Sequence, residues 1–129
     1  MKPHDAKYLA LAEDMCKFGG AGNQFLGAVI ATKTRILGTG ANRQKTHPLQ
    51  KMYGGEKRLY LHAEVDALIS ALRHNTLEKA TIYIVRKMKH GKGERGLAKP
   101  CVNCKAAIIE AGIKRIVYST NNGPVEELI

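Results

Sequence analysis

Thr81-Ile82-Tyr83-Ile84-Val85 reads as a β-strand, because each of its five residues is β-branched or aromatic. The fold follows from what lies on either side. Upstream, Val65, Leu68, Ile69 and Leu72 recur at helical spacing and mark a helix with one apolar face. Downstream, Pro100 opens a second helix and Gly112 closes it, the usual order of those two residues. Ile116 to Ser119 then gives a further strand. Nearer the start, Phe25 to Thr32 and Arg35 to Ala41 are two apolar runs separated by Lys33-Thr34, which predicts an antiparallel hairpin. Tyr8, Leu11, Ala12 and Met15 place a helix over 5–18, stopped by Gly19-Gly20. The tail from Pro124 to Ile129 reads either as a short edge strand or as a loose end. The order helix, hairpin, helix, strand, helix, strand predicts an α/β fold. Its sheet has a parallel portion and an antiparallel edge, with helices on both faces.

At 129 residues the chain is expected to be one domain, 1–129, large enough to bury roughly two-thirds of its unfolded surface. No apolar run is long enough to span a membrane, and Met1-Lys2-Pro3-His4-Asp5 lacks the apolar core of a secretory signal. The three cysteines include the close pair Cys101 and Cys104, which suits a metal or redox pair better than a disulfide scaffold. A cytoplasmic location is expected. Lys and Arg total 21 against 11 acidic residues, a formal net charge of +10. Such a surplus favours anionic partners, whether free phosphates or nucleic acid, although it also describes a merely solvated surface.

Two segments carry chemistry: His62-Ala63-Glu64 and Pro100-Cys101-Val102-Asn103-Cys104. A Cys-x-x-Cys in the first helical turn puts both sulfurs on one face, at the positive end of the helix dipole. Such a pair can bind a metal or cycle as a disulfide, but redox chemistry leaves His62 and Glu64 without a part. Alone, His62 would be a core or capping histidine and Glu64 a solvated first-turn acid. With one strand between them, the two helices can bring their N-termini side by side on one face of the sheet. One imidazole and two thiolates then make a three-ligand zinc site whose fourth position stays open to water. Glu64, two residues beyond His62, can reach that water as a proton shuttle.

His-Ala-Glu followed after about 35 residues by Pro-Cys-x-x-Cys resembles the signature of the cytidine and deoxycytidylate deaminase superfamily. The element order also matches that family's core over nearly the whole chain. The resemblance implies a three-layer α/β/α cytidine deaminase-like fold with a mixed sheet of about five strands. It implies that His62, Cys101 and Cys104 hold one zinc per chain. Glu64 would carry protons between water, ring nitrogen and leaving amine, and the backbone N–H of Ala63 would contact the base carbonyl. Asn42, which follows the second strand, would contact a sugar hydroxyl, its other reading being a turn residue. Arg43 and the cations after it suit a substrate bearing phosphate. Tyr118 either starts a substrate-contacting loop or is a strand residue. Cys16 reads as a buried small hydrophobe, and His47, His74 and His90 lack a second ligand at diagnostic spacing.

The motif fixes the reaction better than the substrate. Basic residues gather in two loops, Arg43, Lys45, Lys51, Lys57 and Arg58 before the first motif, and Arg86, Lys87, Lys89, Lys92, Arg95 and Lys99 before the second. These favour a phosphate-bearing small molecule over a plain nucleoside. With no Trp, two Phe and five Tyr, stacking platforms for a single strand are few, which ranks nucleic acid second. A cytosine nucleotide, deoxycytidylate first, is the expected substrate. A nucleoside deaminase, a nucleic-acid editor and a closed structural zinc module are the competing readings. The segment from Asn42 to Leu61 lacks the Gly-rich continuation expected of deoxycytidylate deaminases. The resemblance further implies a homo-oligomer.

Overall fold

The computed structural model describes residues 1–20, 25–43, 62–88 and 94–129. Helix α1 (Asp5–Met15) tightens into a 3₁₀ turn at Cys16–Phe18. The hairpin follows as β1 (Phe25–Ala31) and β2 (Ile36–Ala41). Helix α2 (Ala63–Leu72) leads to β3 (Thr81–Lys87) and the two-residue β4 (Arg95–Gly96). Helix α3 (Val102–Glu110), β5 (Arg115–Tyr118) and β6 (Val125–Leu128) complete the chain. The tail is thus an edge strand. The basic connection before α3, expected to be all loop, contributes a short strand.

One six-stranded mixed sheet runs in the order β2-β1-β3-β5-β6, with β4 also on β3. Among the described strands only β3 and β5 run parallel, joined through α3. The other pairs are antiparallel. Strand alternation splits the core between two faces. Val29, Ala31, Tyr83, Val85 and Val117 meet Tyr8, Leu9, Ala12 and Cys16 of the first helical segment. Ala28, Ile30, Ile82, Ile84 and Ile116 meet Ala63, Ala67, Leu68 and Ala71 of α2 and Ala107 and Ile108 of α3. The predicted α/β/α layering is therefore present. Cys16 is buried, donates to the Val85 carbonyl at 3.3 Å, and has its thiol pushed up to about 11 by burial.

Close approach of α2 to β2 rests on two glycines. A Cβ at Gly40 would stand 2.4 Å from the Ala67 nitrogen and 2.5 Å from the Ala63 oxygen. A Cβ at Gly38 would meet the Ala71 nitrogen at 2.7 Å. Backbone cannot yield as a side-chain tip can, so only glycine fits. The buried face of α2 accordingly runs through small residues, Ala63, Ala67 and Ala71, beside Leu68. Leu72, expected on the apolar face, is instead 43% exposed. The large residues alone suggested a face turned towards Leu72, whereas close packing selects the alanines.

At the end of the sheet where β3 and β5 begin, Asp5 is fully buried and accepts hydrogen bonds from Arg115, from Tyr83 Oη at 2.6 Å and from the Lys2 N–H at 2.8 Å. Arg115 also donates to Thr81 Oγ1 at 3.3 Å and to Glu126. This network ties α1, β3, β5 and β6 together. Burial by itself pushes the Asp5 carboxyl up. The bonds from Arg115, Tyr83 and Lys2 override that and hold it below the usual carboxylate range. A carboxyl with a depressed folded pKa contributes stability that is present above its unfolded pKa and is lost as pH falls below about 4. An Asp5→Asn variant should lose about 3 kcal/mol at neutral pH, since it leaves a buried guanidinium short of its partner. Urea titrations across pH should show its acid limb flatter than the parent's. A variant with parental stability at pH 7 would contradict this account.

Candidate metal and catalytic site

The site lies at the other end of the sheet, where β3 finishes, and is built from two helix starts. His62 caps α2 in extended backbone conformation, φ −74° and ψ 149°. Cys101 caps α3 likewise, φ −68° and ψ 167°, and its sulfur accepts the Cys104 N–H at 3.4 Å. That bond closes the first turn of α3 and fixes both sulfurs on one side. His62 Nδ1 lies 3.1 Å from Cys104 Sγ. The ligand atoms of His62, Cys101 and Cys104 all fall within 4.8 Å of one another, as one metal ion requires. Val65 and Cys104 are buried together, with Ile69 and Cys101 against them, so the back of the cluster is apolar.

Glu64 stands in the first turn of α2 and is 4% exposed. Burial pushes its carboxyl up, against a backbone hydrogen bond and the nearby His62, which act the other way. Cys101 is held well below the ordinary thiol range, first by a hydrogen bond from the Cys104 side chain and then by His62. Cys104 is pushed up by that same bond, by burial and by the Glu64 charge.

A cleft of about 210 Å³ opens in front of the cluster. Leu26, Asn42 and Arg86 come to it from the strands. His62, Ala63 and Glu64 form one wall; Leu97, Ala98, Lys99 and Cys101 form the other. The structure therefore gathers His62, Ala63, Glu64, Cys101, Cys104 and Asn42. It places two expected residues elsewhere. Arg43 is exposed, and its Nε donates to Asp66 Oδ2 at 3.2 Å, so α2 holds it outside the cleft lining. Tyr118 is the last residue of β5, 7% exposed in the apolar core, and so is a strand residue that does not line the cleft. His74 is exposed beyond α2; His47, His90 and the basic-loop residues Lys45, Lys51, Lys57, Arg58, Lys89 and Lys92 lie outside the described residues.

Asn42 has a structural part in addition to its place in the cleft. Its Oδ1 accepts the Leu26 N–H at 3.1 Å and the Gly20 N–H at 3.3 Å. It straps the end of β2 to the start of β1 and to the segment after α1. Leu26, Leu97 and Ala98 were not read from sequence as cleft residues. For Leu26 and Arg86 a signal existed, because both alternate in phase with inward residues, Ala28 with Ile30 and Ile82 with Ile84.

The family model of the cytidine and deoxycytidylate deaminase zinc-binding region matches residues 2–120. The chain belongs to this family. A deoxycytidylate deaminase of Saccharomyces cerevisiae is 28% identical over 140 residues, an alignment covering 98% of this chain and 41% of that protein. The chain thus spans about two-fifths of the length of that curated relative. Among solved structures, a cytidine deaminase from Burkholderia pseudomallei superposes with a TM-score of 0.72 at 21% identity, covering 99% of this chain and 93% of that one. A dCMP deaminase from the cyanophage S-TIM5 superposes with a TM-score of 0.67 at 22% identity, covering 93% and 86%. These two establish the shared fold.

Asn42→Ala should destabilise the protein by about 1–3 kcal/mol, because two backbone N–H groups lose their acceptor. Denaturant titration checks this, and unchanged stability would show that the strap is dispensable.

Proposed function

We propose that this chain is a zinc-dependent hydrolytic deaminase acting on a cytosine nucleotide, deoxycytidylate first. The observation that carries the reading is the convergence of His62, Cys101 and Cys104 beside the buried Glu64. One nitrogen and two sulfurs are a donor set that suits zinc, and three protein ligands leave a fourth position open. Zinc held there would act as a Lewis acid and lower the pKa of a water in the open position.

The chain's own residues do the rest. Glu64, whose carboxyl burial already disposes to accept a proton, takes one from the attacking water. It passes that proton to the ring nitrogen as the water oxygen bonds to the amine-bearing carbon; the second proton of that oxygen then goes through Glu64 to the amine, and ammonia leaves as the carbonyl forms. The Ala63 N–H, at the start of α2 where the first backbone donors have no helical acceptor, would hold the base carbonyl. Asn42 would orient the sugar. Support for a nucleotide comes from the cations on the cleft and from the cyanophage enzyme, a relative in fold solved in complex with dCMP and dUMP. No helix among the described residues is long and apolar enough to cross a membrane. A cytoplasmic homo-oligomer belongs to the same proposal. The net charge of +10 favours one second reading, a deaminase of single-stranded nucleic acid.

Elemental analysis should find one zinc per chain, and Cys104→Ala should lose it together with activity. Glu64→Gln should keep zinc and stability but lose turnover at least about a hundredfold. Loss of zinc on that substitution would make Glu64 a ligand instead. Ammonia release from deoxycytidylate, cytidylate, deoxycytidine and a cytosine-containing single strand, each at two salt concentrations, tests the substrate. The monophosphates should lead. Efficient turnover of the strand alone, falling steeply with salt, would move the assignment to the second reading.

A further inference from the structure

We propose that Arg86 and Lys99 are the pair of side chains that reads the substrate's phosphate, and so set nucleotide against nucleoside preference. This rests on the nucleotide reading above and names the residues that would enforce it. The two basic loops hold many cations, and the structure sorts those it describes. Arg43 is bound by Asp66 of α2, whose Oδ2 also accepts the Ala41 N–H at 3.0 Å. Arg95 turns to the opposite face of the sheet, where its Nε meets Glu13 Oε1 of α1 at 2.7 Å. Lys87 pairs across the sheet with Phe25, which packs on the α1 face. Only Arg86 and Lys99, among the described cations, line the cleft that holds Glu64.

Their placement follows from the sheet. Arg86 alternates in phase with Ile82 and Ile84, whose side chains meet the α2 and α3 layer. It therefore rises from the same face as the metal cluster, with Leu26 as its cross-strand neighbour. Its stem passes Gly96, where an added Cβ would lie 3.5 Å from Arg86 Cδ. Lys99 arrives by the returning arm after β4, and buried Ser119 seats that arm. Ser119 Oγ accepts the Arg86 N–H at 3.1 Å and donates to the Gly96 carbonyl at 2.8 Å, while its own carbonyl accepts the Ala98 N–H at 2.9 Å. The two cations therefore come from separate segments, β3 and the arm after β4, both held by Ser119. No salt bridge among the described residues engages either of them. Glu127 feels the charge of Lys99, but its carboxylate is bound by Lys105. A guanidinium and an ammonium on one rim suit a dianionic phosphate, the first by its paired donors and the second as a point charge.

The test compares parent, Arg86→Gln, Lys99→Gln and the control Lys87→Gln. Each is assayed for kcat/KM on deoxycytidylate and on deoxycytidine, and for calorimetric affinity to deoxyuridylate and deoxyuridine. Zinc content and melting temperature are followed in parallel. The nucleotide-to-nucleoside ratio should fall roughly tenfold to a hundredfold in Arg86→Gln and in Lys99→Gln, with the loss in KM, and stay at the parental value in Lys87→Gln. Affinity for deoxyuridylate should fall in parallel, with affinity for deoxyuridine following the parent. Lys99 is exposed, so its substitution leaves the core untouched. Ratios within about threefold of the parent in both variants, or an equal fall in Lys87→Gln, would overturn the pair. If the parent turned over no cytosine substrate but lost deoxyuridylate affinity on Arg86→Gln, the hydrolytic reading would fall and the phosphate pair would stand.

Discussion

How closely α2 can lie against β2 determines where everything else in the site stands. Gly38 and Gly40 remove the side chains that would otherwise strike the helix backbone, and Ala63, Ala67 and Ala71 answer them from the other side. A methyl group at Gly40 would need to occupy space 2.4 Å from a backbone nitrogen, which the structure can accommodate only by moving the helix. Moving α2 would move His62, Ala63 and Glu64 together, because all three sit at its start. The same start must meet the start of α3, which the β3–α3–β5 crossover places on the same face of the sheet. The geometry of the His62, Cys101 and Cys104 cluster is thus a consequence of helix-to-sheet packing.

The two ends of the sheet handle charge differently. At one end, Asp5 and Arg115 are both buried and each satisfies the other, with Tyr83, Thr81 and Glu126 taking up the remaining bonds. That arrangement locks four elements and offers nothing to a ligand. At the other end, Glu64 is buried beside the cluster of two sulfurs and an imidazole, and burial pushes its carboxyl up. Arg86 and Lys99 are committed to no salt bridge among the described residues and lie at the edge of the cleft. A closed network gives stability and an open one gives chemistry.

Much of the fold could be read from pattern, because β-branched runs and helical spacing are local signals. The strand at Thr81, the hairpin around Lys33-Thr34 and the Pro100-to-Gly112 helix all stand where their residues placed them. His62, Cys101 and Cys104 could be picked out together because metal ligation constrains residue type and spacing together, and the structure brings their ligand atoms within 4.8 Å of one another. What pattern could not show depended on long-range partners. Leu72 is exposed because alanines, not leucines, fit the glycines of β2. Arg43 reads as a substrate cation from its position, but Asp66, across the gap to α2, holds it. Asn42 lines the cleft and also straps β2 to β1 through its Oδ1, a long-range bond that its turn propensity does not encode. β4 is two residues long and owes its existence to β3 and Ser119, which no local propensity encodes.

The central claim is that three side chains at two helix starts make an open, not a closed, metal site. X-ray absorption at the zinc edge of the purified protein tests it most directly. The account predicts two sulfur scatterers at about 2.3 Å, one imidazole nitrogen, and one further light atom supplied by water. A first shell of three or four sulfurs, or a second imidazole in place of the water, would mean a closed structural site and would contradict it.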